Sequence, residues 1–197
     1  MPPRARSGRR TGLTDAGSDP DIVTTASRIV YENRWMRVRE DAIRRRDGSP
    51  GIYGVVEKDD FVVVVPVHED GAITLVQQFR YPVGARFWEF CQGMWGGPGA
   101  DPADAAAHEL AEETGLSAAT LTHAGRLFCA YGTMRQRFHI FLATGLTQGE
   151  ARREAEEQDL ISRRFPRAEV ERMLREGEIA DAVTVSAWGL LVMNGLV

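Results

Sequence analysis

The sequence predicts an α/β fold in which a mixed sheet is covered on both faces by helices, with a small antiparallel β unit in front. Three observations predict it. Runs rich in β-branched and aromatic residues dominate the chain between Ser27 and Cys91. Phe61–Val67 is continuously apolar, the mark of a strand buried on both sides. From Asp101 onward, helical stretches with start and stop signals alternate with further strands.

Taken in order, Met1–Asp21 is expected to be a disordered leader. It is rich in Gly, Ser, Pro and Asp, and Arg4, Arg6, Arg9 and Arg10 have no apolar stretch behind them, so it does not read as a signal peptide. Ser27–Tyr31, Trp35–Arg44 and Ile52–Glu57 make up the β unit, placed over residues 22–58, with the turn formers of 46–51 between the last two. The main domain is placed over 59–197. In it Phe61–Val67 and Ile73–Phe79 flank a turn at His68–Ala72, and Phe87–Cys91 is a shorter strand running into a glycine-rich loop.

Asp101 is placed as a helix N-cap, with Pro102 at the first helical position and Asp104 where a capping box wants an acidic residue. Ala103–Thr114 contains neither proline nor glycine, and Gly115 stops it. Strands near Leu121–Phe128 and Arg137–Ala143 follow, then a polar loop Thr147–Gln158 and a strand Leu160–Phe165. Helices over Arg167–Glu176 and roughly Ala180–Met193 close the chain.

Composition excludes several classes. The net charge of −4 argues against a nucleic-acid-binding surface, which calls for a basic excess. No apolar run approaches the length of a membrane span, so no membrane partner is expected. Cys91 and Cys129 are far apart and lack metal-ligand spacing, which fits a reducing cytoplasm. Lys58 is the only lysine among the cations; the rest are arginine, a composition bias that also suits phosphate recognition.

The chemistry is concentrated in Glu109-Leu110-Ala111-Glu112-Glu113-Thr114-Gly115-Leu116. On a helix, Glu109 lies three residues from Glu112 and four from Glu113, so the carboxylates crowd one face and repel. A divalent cation removes that conflict, and hard carboxylate oxygens suit Mg²⁺, which keeps its other positions for water or substrate phosphates. In isolation the same pattern is also a solvated acidic face. With its surroundings, Gly93…His108-Glu109-Leu110-Ala111-Glu112-Glu113-Thr114-Gly115-Leu116 resembles the Nudix box, G-x5-E-x7-R-E-U-x-E-E-x-G-U with U apolar. Gln78-Phe79-Arg80 and Trp88-Glu89-Phe90-Cys91-Gln92-Gly93 are similar to flanking segments of the ADP-ribose diphosphatase-like branch of that family. The first box glutamate falls on Ala100, the box arginine falls on His108, and one extra residue follows Gly93.

The resemblance implies a Nudix α/β/α sandwich and a metal-assisted hydrolysis of a nucleoside-diphosphate derivative, ADP-ribose-like or a sugar nucleotide, with Mg²⁺, or alternatively Mn²⁺, as cofactor. It implies Glu109, Glu112 and Glu113 as metal ligands together with the main-chain carbonyl of Gln92, and a loop glutamate as general base, Glu157 ahead of Glu154 and Glu156. Arg80 is a candidate phosphate clamp or a surface strand arginine. Glu89 is a further carboxylate near the metal or a solvated strand end, and Tyr53 either stacks on a base or fills the β unit. His108 either orients Glu109 or sits on the helix surface, and Cys91 reads as a packed residue rather than a nucleophile. The resemblance also implies a homodimer built through the β unit. A catalytically weak nucleotide-binding sensor is the alternative function, suggested by Ala100 and His108.

Overall fold

A computed structural model describes residues 21–94, 99–151 and 159–197. The leader expected over Met1–Asp21 therefore lies, but for Asp21, outside the described residues. So do Glu154, Glu156 and Glu157.

The chain opens with β1 (Ile22–Glu32), β2 (Arg37–Arg45) and β3 (Pro50–Glu57), an antiparallel sheet in that order. The hairpin between β1 and β2 turns on Asn33, whose side-chain oxygen accepts from the amides of Trp35 and Met36, each at 2.9 Å. Along this sheet Arg39 bonds both Asp41 and Glu57, and Arg37 bonds Glu32.

The continuous apolar run becomes β4 (Phe61–Pro66), the central wall of the main domain. It pairs parallel with β9 (Arg137–Gln148) and antiparallel with β7 (Cys91–Met94), and β8 (Leu116–Phe128) closes the order β7-β4-β9-β8. A second sheet, β10-β5-β6, joins β5 (Ile73–Arg80), β6 (Ala85–Glu89) and β10 (Ile161–Phe165). Helix α1 (Pro102–Thr114) covers one face; α2 (Arg167–Glu176) and α3 (Ala182–Met193) cover the other.

Alternation along β4 explains why its sequence shows no polar period. Val62 and Val64 pack with Leu110, Ala106 and Phe141 on the α1 side. Val63 and Val65 pack with Met173, Trp188 and Leu191 on the other. All four are fully buried.

Two expectations are corrected. Phe87–Cys91 is not one strand: it breaks at Phe90, between β6 in one sheet and β7 in the other. The Phe90 amide donates to Thr184 Oγ1 at 3.1 Å instead of entering a ladder, so α3 fixes the break. The β8–β9 hairpin is also longer than expected, beginning at Leu116 and ending at Gln148. Apart from Leu116 and Leu146 its added residues are small or polar, and cross-strand pairing rather than propensity holds them extended.

Candidate functional site

Helix α1 starts where the sequence places it. Asp101 accepts from the Ala103 amide at 2.9 Å, and Gly115 ends the helix with φ 73°, a left-handed conformation that glycine adopts without strain. The helix packs its Ala106–Leu110 face on β4 and β7. This fixes how its acidic residues meet the sheet.

The three carboxylates meet different neighbours. Glu109 lies on Gly93 of β7, and a Cβ built on that glycine would fall inside its carboxylate. Glu113 is fully buried and lies against Cys91. Glu112, also buried, is met by His108 Nε2 at 3.0 Å, one turn back. His108 thus pairs with Glu112 rather than with Glu109, while its own ring stays 75% exposed. Burial, with the Glu113 carboxylate beside it, pushes the Cys91 thiol well above its usual range, so Cys91 is a packed thiol and not a nucleophile.

Beyond β7 opens a cleft of about 600 Å³, within the usual size for a small-molecule site. Phe61, Val83, Phe87 and Met94 give it apolar walls, and its charged lining residues are Lys58, Arg80, Glu89 and Asp181. Arg80 makes a two-pronged ion pair with Glu89, through Nε to Oε2 at 3.2 Å and through Nη2 to Oε1. Glu89 is only 3% exposed, and burial raises its pKa above the ordinary carboxylate value despite the opposing pull of Arg80. Arg80, its side chain 39% exposed, and the buried Glu89 are therefore one ion pair lining the cleft, not a free surface arginine and a solvated strand end.

Asp181 organises the floor. It caps α3, accepting from the amides of Val183 (3.3 Å) and Thr184 (2.8 Å) and from the Thr184 hydroxyl (2.7 Å). The Gln92 side-chain amide donates to it at 2.8 Å, which ties α3 to the strand carrying Gly93. In the sequence Asp181 shows only the signature of a helix cap; its contact with Gln92 spans 89 positions and has no local signal.

Tyr53 is placed elsewhere. Its hydroxyl donates to the Gly132 carbonyl at 2.9 Å, and with the Val56 amide to Thr133 (2.9 Å) it fastens the N-terminal sheet to the β8–β9 turn. Within this subunit Tyr53 does not line the cleft.

The residues fit a hard divalent cation by donor chemistry and by the cradle at Gly93, where a carboxylate takes the volume of a side chain. Among the described residues no three Asp, Glu, His or Cys side chains are gathered closely enough to hold an ion as they stand. Glu109 and Glu113, four apart on α1, are the pair not committed to His108.

An α/β/α sandwich with a carboxylate-rich helix laid on a glycine-bearing strand beside a ligand-sized cleft fits a hydrolase of the diphosphate-cleaving class. The chain belongs to the Nudix family: residues 58–187 match the NUDIX domain, and residues 22–56 match the nucleoside diphosphate sugar hydrolase N-terminal domain. An ADP-ribose pyrophosphatase of Mycobacterium tuberculosis is 31% identical over 180 residues, covering 91% of this chain and 86% of the relative. An ADP-ribose pyrophosphatase of Bacillus subtilis is 28% identical over 138 residues, 70% of this chain and 74% of its own length. The fold is shared with the crystal structure of an ADP compounds hydrolase, with TM-score 0.79, 24% identity, 92% of this chain covered and 100% of that chain. The chain is accordingly a Nudix diphosphate hydrolase, and metal-dependent cleavage of a nucleoside-diphosphate derivative is its activity.

Proposed function

We propose that this enzyme hydrolyses the diphosphate of ADP-ribose or a closely similar sugar nucleotide, with Mg²⁺ as the metal. The observation that carries this reading is the Glu109 carboxylate seated on Gly93, at the wall of a cleft holding the Arg80–Glu89 pair. Glu109 and Glu113 would hold the ion with the Gln92 carbonyl, and Glu112, braced by His108, would complete the acidic face. The metal supplies charge neutralisation of the diphosphate and an activated water. The chain's own residues do the rest: the apolar walls take the base or sugar, and Arg80, held by Glu89, faces the phosphate oxygens. Glu157 is assigned as general base from its place in the acidic stretch of sequence between β9 and β10.

A homodimer is part of the same proposal. All eleven residues of β1 are exposed, including Ile22, Val23, Ile29, Val30 and Tyr31, an apolar surface that a second copy would cover. A cytoplasmic location belongs to the same proposal: Cys91 and Cys129 are far apart in the sequence and lack metal-ligand spacing, which suits a reducing compartment. Among the described residues no helix is long and apolar enough to cross a membrane.

The test is Mg²⁺-dependent release of nucleoside monophosphate from a panel of ADP-ribose, other sugar nucleotides and dinucleotides. Glu109→Gln is expected to lower kcat/KM by about a hundredfold or more, and Glu112→Gln by less. Tight binding of a nucleotide with no turnover of any panel member would instead support the sensor reading.

A further inference from the structure

Among the described residues the cleft is lined by two cations, Arg80 and Lys58, and they are in different states. The Arg80 guanidinium is committed to Glu89 by both prongs. Lys58 is exposed and, among the described residues, takes part in no ion pair. Three of the nearby carboxylates are already engaged, and the fourth, Asp59, is the exposed chain neighbour of Lys58. Glu57 is met by Arg37 and Arg39, Asp60 accepts the Arg137 amide at 2.8 Å, and Asp181 is filled by its cap bonds and Gln92.

The backbone around Lys58 is fixed on both sides. Val56 is bonded to Thr133, and the Asp59 carbonyl accepts from the Gln136 side chain at 2.7 Å. Lys58 thus hangs from a short, doubly anchored bridge between β3 and β4, at the mouth of the cleft. On the cleft wall, burial raises the pKa of the Cys129 thiol, the Asp181 charge adds to the rise and the Lys58 charge opposes it. A diphosphate entering here meets the acidic Glu89 and Asp181, and the Arg80 charge is largely spent on Glu89.

We infer that Lys58 is a second anion-recognition residue of this cleft beside Arg80, its ammonium binding phosphate oxygens of the diphosphate and so setting substrate affinity rather than the rate of bond cleavage. This rests on the hydrolase reading and adds to it a binding residue that lies outside the box and its flanking segments. A lysine suits the place: a compact charge on a flexible stem follows a phosphate that enters and leaves, where an arginine fork would demand one geometry.

Because Lys58 is the only lysine of the chain, its amine can be addressed chemically without mutation. Pyridoxal 5′-phosphate condenses with an amine with loss of water, and borohydride fixes the adduct by hydride addition. Peptide mapping separates a Lys58 adduct from one at the α-amine. The expected result is labelling of Lys58 that inorganic pyrophosphate and ADP-ribose each suppress. In kinetics, Lys58→Gln is expected to raise KM about tenfold with kcat within about twofold, and Lys58→Arg to recover most of the loss. Labelling indifferent to pyrophosphate and ADP-ribose, an unchanged KM in Lys58→Gln, or a fall in kcat at constant KM would each overturn the assignment. If the wild-type enzyme hydrolyses no diphosphate, the functional reading fails, and protection by pyrophosphate still decides the role of Lys58.

Discussion

The seat of Glu109 on Gly93 yields the sharpest prediction. Gly93 has no left-handed backbone, so alanine is conformationally allowed there and only the added methyl matters. That methyl would lie far inside the 3.0 Å that real Cβ contacts respect, with the Glu109 carboxylate as the obstacle. The carboxylate is the end of a flexible, half-buried side chain, so it moves and the strand does not. It must withdraw by more than about 1 Å, and misplacement on that scale lowers rates by about a hundredfold. The stability change should stay at or below about 1 kcal/mol, the low end for overpacking, because no core side chain is displaced. The assay pairs kcat/KM on ADP-ribose with a thermal melt. Glu109→Asp on the Gly93→Ala background, which draws the carboxylate back by one methylene, should recover part of the loss in a double-mutant cycle. Gly93→Ala with kcat/KM within threefold of wild type and an unchanged melt would refute the reasoning, because the carboxylate would then not need its seat.

Three further outcomes follow from the site. The folded pKa of Glu89 is raised, so its protonated form favours the native state, and its unfavourable contribution grows as pH climbs from the ordinary carboxylate value of about 4.3 through the folded one. Glu89→Gln should therefore gain stability relative to wild type on going from pH 4 to pH 7 in urea unfolding; a gain that shrinks over that range would contradict the sign. Asp181→Ala removes a helix cap and the anchor of Gln92, and should lower stability by about 1–2 kcal/mol and reduce kcat/KM as well; a pure stability effect would dissociate Asp181 from the site. In the native protein a maleimide at pH 7 should modify Cys129 alone, with Cys91 reacting only after unfolding, since Cys91 is fully buried and its thiol is pushed well above the usual range; mass-spectrometric modification of Cys91 in the native state would contradict this.

Much of the frame was legible because it is written locally. The start of α1 at Asp101, its stop at Gly115, and the two-sided burial of β4 are each set by residues within one element or its cap. The acidic spacing of Glu109, Glu112 and Glu113 likewise needs only a helical period. What could not be read depends on long-range contact. The break at Phe90 needs Thr184, ninety-four positions on, and the hydroxyl of Tyr53 is consumed by Gly132 across the gap between sheet and turn. His108 was legible as a departure at the box arginine, and its choice of Glu112 over Glu109 follows from the helical period, which faces it toward the residue four on and away from the next one. Lys58 stood out as a singleton in composition, while its place at the cleft mouth appears only once β3, β4 and the β8–β9 turn are assembled.

The alternation along β4 has a consequence for how the domain opens. Since Val62 and Val64 seal one core and Val63 and Val65 the other, the strand is a party wall: removing it exposes both chambers at once. Neither the α1 side nor the α2–α3 side can lose that wall while the other keeps it. Amides of β4 should consequently be released to solvent only through global opening, and would rank among the slowest-exchanging in the chain. Fraying is left to the periphery, where β1 lies open along its whole length. The rigid partition carries Phe61 into the cleft and holds Gly93 beneath Glu109, so the proposed site inherits the exchange protection of the wall on which it is mounted.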